Sequence, residues 1–292
     1  MIVGWHGRRL CRVSHHAHRA RGRLAVCRTS RMSPQRWPRH PCEDSRHVTL
    51  VDIGGRRLHI DRAGRDSPTL VLEPGLLGDS RAWNGVFDQL AAITTTVRWD
   101  RAAFGRSDRG PLPQTTERIC DDLHLLLAAA AIPAPYLLVG HSFGAFTLRV
   151  FAPRHPEVIS GLVFVEPSMP DADELVRPLL ASPQWDDLQR NWRPVGHPQL
   201  VDFERSATEV LAAPPLPDVP VLVLFGERFT TLEGWPRDAV EALWRAHYHA
   251  LANSVPHGRI VAVADAGHDL FVDQPARFVA EIASFVEECR LG

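Results

Sequence analysis

The sequence predicts an α/β fold: a mostly parallel central sheet covered by helices on both faces. Three observations carry that expectation. The short runs TLVLE, YLLVG, GLVFVE and VPVLVLFG are near-continuously apolar, which suits strands buried on both sides better than strands with one wet face. Stretches with a 3.6-residue apolar period lie between them. Strand and helix text alternate along most of the 292 residues, the pattern of parallel strands joined by helical crossovers.

Taken in order, HVTLVDI and RRLHIDR are separated by Gly54-Gly55 and read as a hairpin. TLVLE (69–73) is a buried strand, followed by the turn PGLLGDS and the amphipathic segment AWNGVFDQLAAI. TTTVRWD (95–100) is the fourth strand. In TTERICDDLHLLLAAAAI (115–132) the helical period puts Ile119, Leu123, Leu126 and Leu127 on one face and turns Asp121 and Asp122 to water. YLLVG (136–140), the helix through FTLRVFAPRHP and GLVFVE (161–166) follow. VPVLVLFG (219–226) and GRIVAVAD (258–265) are the last strands, each trailed by helical text.

Residues 167–218 break this rhythm. They are rich in proline and acids, hold Trp185 and Trp192, and contain helical fragments without a clear strand. A structureless loop of that length is improbable inside a domain. The segment is therefore expected to be a helical cap inserted after strand 6 of one domain spanning 47–292.

The net charge of −1 hides an asymmetry. Residues 1–46 carry eleven arginines against Glu43 and Asp44, whereas the rest carries 22 arginines against 32 acids. The basic head lacks the 7–15-residue apolar core of a secretory signal and is expected to be a disordered extension. No apolar run approaches the ~18 residues of a membrane span. Neither a membrane nor a nucleic-acid partner is expected. The five cysteines (11, 27, 42, 120 and 289) show no metal-ligand or disulfide spacing, so no metal is expected and a reducing, cytoplasmic setting is the default.

The chemistry centres on LLVGHSFGAF (137–146). A strand runs into G-x-S-x-G and a helix runs out, the context in which a serine stands on a sharp, strained turn as a nucleophile. Gly140 and Gly144 flank Ser142 at the positions where bulk would keep strand and helix apart. A serine hydroxyl also needs a base. Of His197, His247, His249, His257 and His268, only His268, in ADAGHDLF, comes just after a buried strand, where a loop at the sheet's carboxyl end can aim it at Ser142.

LVGHSFGAF, DRAAFGRSD, EPGLLGDSRAW and AGHDLF resemble, in order, the motifs of the α/β-hydrolase fold family over residues 48–290. Within it the chain is similar to the serine hydrolases of the esterase-like and perhydrolase-like group. The resemblance implies Ser142 as nucleophile, His268 as base, and an oxyanion hole made by the backbone N–H groups of Phe143 and Leu76. The family's commonest acid follows strand 7 in GxxD, but here the text is GERF and Phe229 takes that place. Two acids compete: Glu166, ending strand 6 in FVEPS, which is favoured, and Glu227 after strand 7. Many relatives carry His-Gly in the oxyanion loop, where this chain has Glu73-Pro74-Gly75. Asp100-Arg101 and Gly105-x-Ser107 resemble a structural turn. His141 reads as a packed neighbour of Ser142, and Trp83, Trp185, Trp192 and Trp235 as core residues that could instead line an acyl pocket.

The expected function is cleavage of an ester, thioester or amide bond of a small molecule through an acyl-enzyme, without a cofactor. Peroxide-dependent chemistry on the same triad and a silent binding scaffold are the alternatives.

Overall fold

The computed structural model describes residues 47–192, 201–229 and 234–291; the arginine-rich head and His197 lie outside them. Its strands are β1 (His47–Asp52), β2 (Arg57–Ala63), β3 (Thr69–Glu73), β4 (Thr96–Trp99), β5 (Tyr136–His141), β6 (Ile159–Val165), β7 (Val221–Gly226) and β8 (Gly258–Val263). They form one sheet in the order β1-β2-β4-β3-β5-β6-β7-β8. β1 and β4 each pair antiparallel with β2, and every other pairing is parallel. The expected hairpin forms. Asp52 Oδ1 accepts from the N–H groups of Gly54 and Gly55, whose φ angles of +97° and +96° only glycine adopts freely.

Helices α1 (Phe87–Ala91), α2 (Thr116–Ala129) and α3 (Gly144–Arg154) connect the first four parallel strands, β3 to β6. Between β6 and β7 lie α4 (Ala172–Val176), α5 (Ser182–Trp192) and α6 (Phe203–Ala212); α7 (Arg237–Ala252), α8 (Leu270–Asp273) and α9 (Pro275–Leu291) complete the chain. Strand side chains alternate between two cores, as a period of two requires. Leu70, Leu72, Val163 and Val165 pack with Phe278 and Phe285 of α9 on one face. Val71, Leu138, Leu162 and Phe164 pack with Ile119 of α2, Phe151 of α3 and Tyr248 of α7 on the other. Each fully buried side chain of this kind contributes about 1.5–3 kcal/mol.

Local caps fix where helices start. Thr115 accepts from Arg118 N at the head of α2, and Asp202 Oδ1 from Arg205 N at the head of α6, caps worth ~1 kcal/mol each. Ser206 of α6 accepts from Thr116 N at 3.1 Å, and Phe203 meets Phe143 and Phe146 with ring centroids 5.9 and 5.4 Å apart. Helix α6 is therefore seated over the turn that follows β5.

One surface expectation is corrected. Asp121 faces water and pairs with Arg154 at 2.6 Å, but Asp122 is only 6% exposed and bonded by Arg56 Nη2. Burial raises its carboxyl pKa while Arg56 pulls it back. Helical periodicity could not show that an arginine from the β1–β2 turn covers this position. No helix among the described residues is long and apolar enough to cross a membrane.

Candidate active site

β5 ends at His141 and α3 begins at Gly144, so the chain turns from strand to helix over two residues. Ser142 takes φ +52°, in the left-handed region that costs a non-glycine residue about 1–2 kcal/mol. The glycines make this turn possible. A Cβ on Gly140 would lie 2.8 Å from Gly144 O, and one on Gly144 2.7 Å from Glu73 O. Ser142 N donates to Val165 O at 2.9 Å, and Ser142 O accepts from Ser168 N at 3.1 Å. The neighbouring strand end thus clamps the turn. The Ser142 Oγ lies 3.5 Å from Ser168 Oγ.

The same left-handed backbone recurs one strand over, where Glu166 follows β6 with φ +48°. Its carboxylate is buried, and Oε1 accepts from Gly226 N at 2.5 Å while Oε2 accepts from Tyr248 OH at 2.9 Å. Oε2 also lies 3.8 Å from His268 Nδ1. Burial pushes the Glu166 pKa up to about 7, against the pull of its two donors. Glu227, one residue past β7, is exposed. Its N–H and C=O engage Val263 and Phe229, and its carboxylate has no hydrogen bond or ion pair among the described residues. The structure brings Glu166, not Glu227, to His268. Phe229, in the family's usual acid position, packs toward Trp244 instead.

His268 sits on the loop after β8. Burial drives its pKa well below the usual value, and the adjacent His141 ring, 4.6 Å away between centroids, works in the same direction. At neutral pH it is therefore an uncharged imidazole. Its Nδ1 is buried and lacks a hydrogen-bond partner among the described residues, and 3.8 Å to Glu166 exceeds hydrogen-bond length. Such contacts commonly tighten only when substrate binds. His141 Nε2 donates to the His268 carbonyl at 3.0 Å, holding the loop to the serine turn. His141, His268 and Asp269 also bring possible metal-ligand atoms within 4.8 Å of one another.

Ser142 and His268 open onto one cavity of about 270 Å³, lined also by Gly75, Leu76, Phe143, Ser168, Phe203, Asp269, Phe271 and Val272. Neither the Leu76 nor the Phe143 N–H has a backbone acceptor among the described residues, so both donors are unspent. Trp83 is fully buried behind His141, against Phe271. Trp185 lies beside Arg177 at a separate cleft, and Trp235 does not line the cavity. The Trp192 side chain lies outside the described residues. Tyr248 and Ser168 escaped the sequence reading. A buried-face period of Trp244, Tyr248 and Leu251 was the one signal for Tyr248, and it reads as ordinary core.

A strained serine at the carboxyl end of a parallel strand, sharing a cavity with a half-buried histidine, defines the class by fold and layout. Residues 68–205 match the family described as alpha/beta hydrolase fold, and the chain has that fold. It is 30% identical over 120 residues to the uncharacterised protein YqjL of Bacillus subtilis (strain 168), covering 41% of this chain and 47% of that one. Across four curated relatives the matches span 18% to 47% of the relative's length. Among solved structures it is similar to a thermophilic esterase from Thermogutta terrifontis (TM-score 0.56, 22% identity, 84% of this chain and 98% of that one). It is also similar to the haloalkane dehalogenase DatA from Agrobacterium tumefaciens C58 (TM-score 0.60, 16% identity, 84% and 98%). At such identities these likenesses establish the fold alone.

Proposed function

We propose that the protein is a serine hydrolase that cleaves an ester-type bond of a small molecule through an acyl-enzyme. The observation that carries this reading is Ser142 at φ +52° on the wall of a cavity it shares with His268, with buried Glu166 behind that histidine. Ser142 attacks the substrate carbonyl as His268 takes its proton. The imidazolium that forms is stabilised by Glu166, facing Nδ1, and returns the proton to the leaving group. Water then repeats the sequence on the acyl-enzyme. The negative oxygen of each tetrahedral intermediate is received by the Phe143 and Leu76 N–H groups.

Ester, thioester and amide bonds are all open to this machinery. The cavity's apolar lining favours an uncharged acyl group, and Asp269 at its edge disfavours an anionic one. The test is hydrolysis of short p-nitrophenyl esters beside fluorophosphonate labelling. Ser142→Ala is expected to abolish labelling and cut turnover at least ~10³-fold. Glu166→Gln should cut turnover by up to ~10⁴-fold, with Glu227→Gln close to wild type. Unlabelled wild-type protein would instead favour a silent scaffold. Loss in Glu227→Gln but not in Glu166→Gln would overturn the choice of acid.

A further inference from the structure

Beneath the loop after β3 lies an ion pair removed from solvent. Arg101 is 0% exposed and Glu73 1%. Arg101 Nη1 donates to Glu73 Oε1 at 2.8 Å and to Pro74 O at 2.9 Å, and Nη2 donates to Gly75 O. Glu73 is held in turn by Trp99 Nε1 at 2.6 Å and Thr147 Oγ1 at 3.2 Å. β4 and α3 thus converge on the β3 carboxylate, which holds the one guanidinium that grips two successive carbonyls of the candidate oxyanion loop.

A buried ion pair is a poor choice for stability, since an apolar pair of similar volume often does as well or better. Its directional donors do something an apolar pair cannot. The Gly75 carbonyl and the Leu76 N–H belong to one planar, trans peptide and point in opposite directions. Fixing the carbonyl on Arg101 therefore fixes where the N–H points. Leu76 lines the cavity on the other side. The loop has no slack toward the serine either: a Cβ on Gly75 would lie 3.0 Å from His141 Nδ1 and 3.3 Å from Ser142 Cβ. A charged donor on the carbonyl also polarises the amide and strengthens its N–H. The guanidinium carbon lies 5.6 Å from the centroid of the Phe143 ring, so the residue supplying the second donor touches it too.

We propose that Arg101 is a positioning residue for the reaction, aiming the Leu76 N–H at the developing oxyanion, with Glu73 holding Arg101 in place. The proposal rests on the serine-hydrolase reading above. It predicts a loss confined to the tetrahedral state, because the ground-state carbonyl needs the donor less than the oxyanion does.

The experiment compares full-length wild type, Arg101→Lys, Arg101→Met and the double variant Glu73→Gln/Arg101→Met. The readouts are thermal midpoint, kcat and KM on a p-nitrophenyl ester, and affinity for an alkylboronic acid, which forms a tetrahedral adduct on the serine. The expected result is a kcat loss of about 10²-fold in every variant, boronate affinity falling in parallel, and KM within about threefold of wild type. The double variant folds without a stranded charge and stays slow. Recovery of its kcat to within about threefold of wild type would overturn the proposal, because Arg101 would then only balance Glu73. Unchanged boronate affinity in slow variants, or failure of all three to fold, would overturn it as well. A wild type inert to both ester and boronate would sink the hydrolase reading itself, and this proposal with it, an outcome distinct from the others.

Discussion

At the scale of single residues, the proposed triad assigns the acid limb of activity to Glu166. That triad needs His268 uncharged and Glu166 ionised. His268 meets its condition at neutral pH because burial lowers its pKa, whereas Glu166 titrates at about 7. Activity is therefore expected to fall as pH drops through 7. Tyr248 OH donates to Glu166 at 2.9 Å and favours its ionised form. Losing a hydrogen bond to a charged group costs about 1.5–3 kcal/mol, or about 1–2 pK units. Tyr248→Phe should thus move the acid limb of kcat/KM upward by about that much; a limb that stays put or moves down would detach Tyr248 from the acid. Ser142 and His268 were legible in the sequence because each sits at a strand end in a short motif. Glu166 was legible only as one of two candidates. Tyr248 comes from α7, far along the chain, and nothing in a buried-face tyrosine announces which carboxylate it meets.

At the scale of elements, the strand–turn–helix unit of β5 and α3 is locked to the loop after β3 by close backbone approach. A Cβ on Gly144 would press on Glu73 O at 2.7 Å and Pro74 O at 2.9 Å. Backbone cannot swing aside as a flexible side chain can. Gly144→Ala is expected to destabilise by about 1–3 kcal/mol and to slow turnover by displacing the loop. Gly85→Ala, with nothing within 4 Å of the added Cβ, should stay within about 0.5 kcal/mol of wild type. Urea midpoints at constant slope measure the contrast, and equal midpoints would show that the unit yields more easily than its packing implies. Elements were the most legible level. Near-continuous apolar runs mark β3, β5, β6 and β7 because strands buried on both faces carry no polar alternation. Asp122 shows the limit: its position on α2 followed from the period, but its burial depended on Arg56 from another segment.

At the scale of the whole molecule, the antiparallel edge is joined to the loop after β4 by a buried charge cluster. His59 of β2 is 0% exposed, with Nε2 3.1 Å from Asp61 and Nδ1 3.0 Å from Asp100. Burial disfavours the imidazolium, but Asp100 and Asp61 outweigh it and raise the pKa from 6.5 to about 9. Arg106 Nη1, 2.9 Å from Nε2, is a neighbouring cation that opposes the charge. Because the folded pKa exceeds the unfolded one, His59 contributes fully below pH 6.5, and the contribution fades as pH rises to about 9. The amount is roughly 1–3 kcal/mol after allowance for screening. The other shifted groups add less in that window. The lowered histidines (His141, His155, His247 and His268) have largely completed their change by about pH 7. Glu166, half-ionised at about 7, adds a small shared fall that ends about one unit higher, and the Cys289 thiol, raised from 9.0 to about 12, adds one that only begins near the top of the window. Stability measured by urea unfolding should therefore fall between pH 7 and 9 in wild type. In His59→Gln, lower at pH 7, the fall should be largely absent. A parallel decline in both proteins would mean that His59 is neutral in the fold and that its two carboxylates are held by the Arg98 side chain and the N–H groups of Arg106 and Ser80.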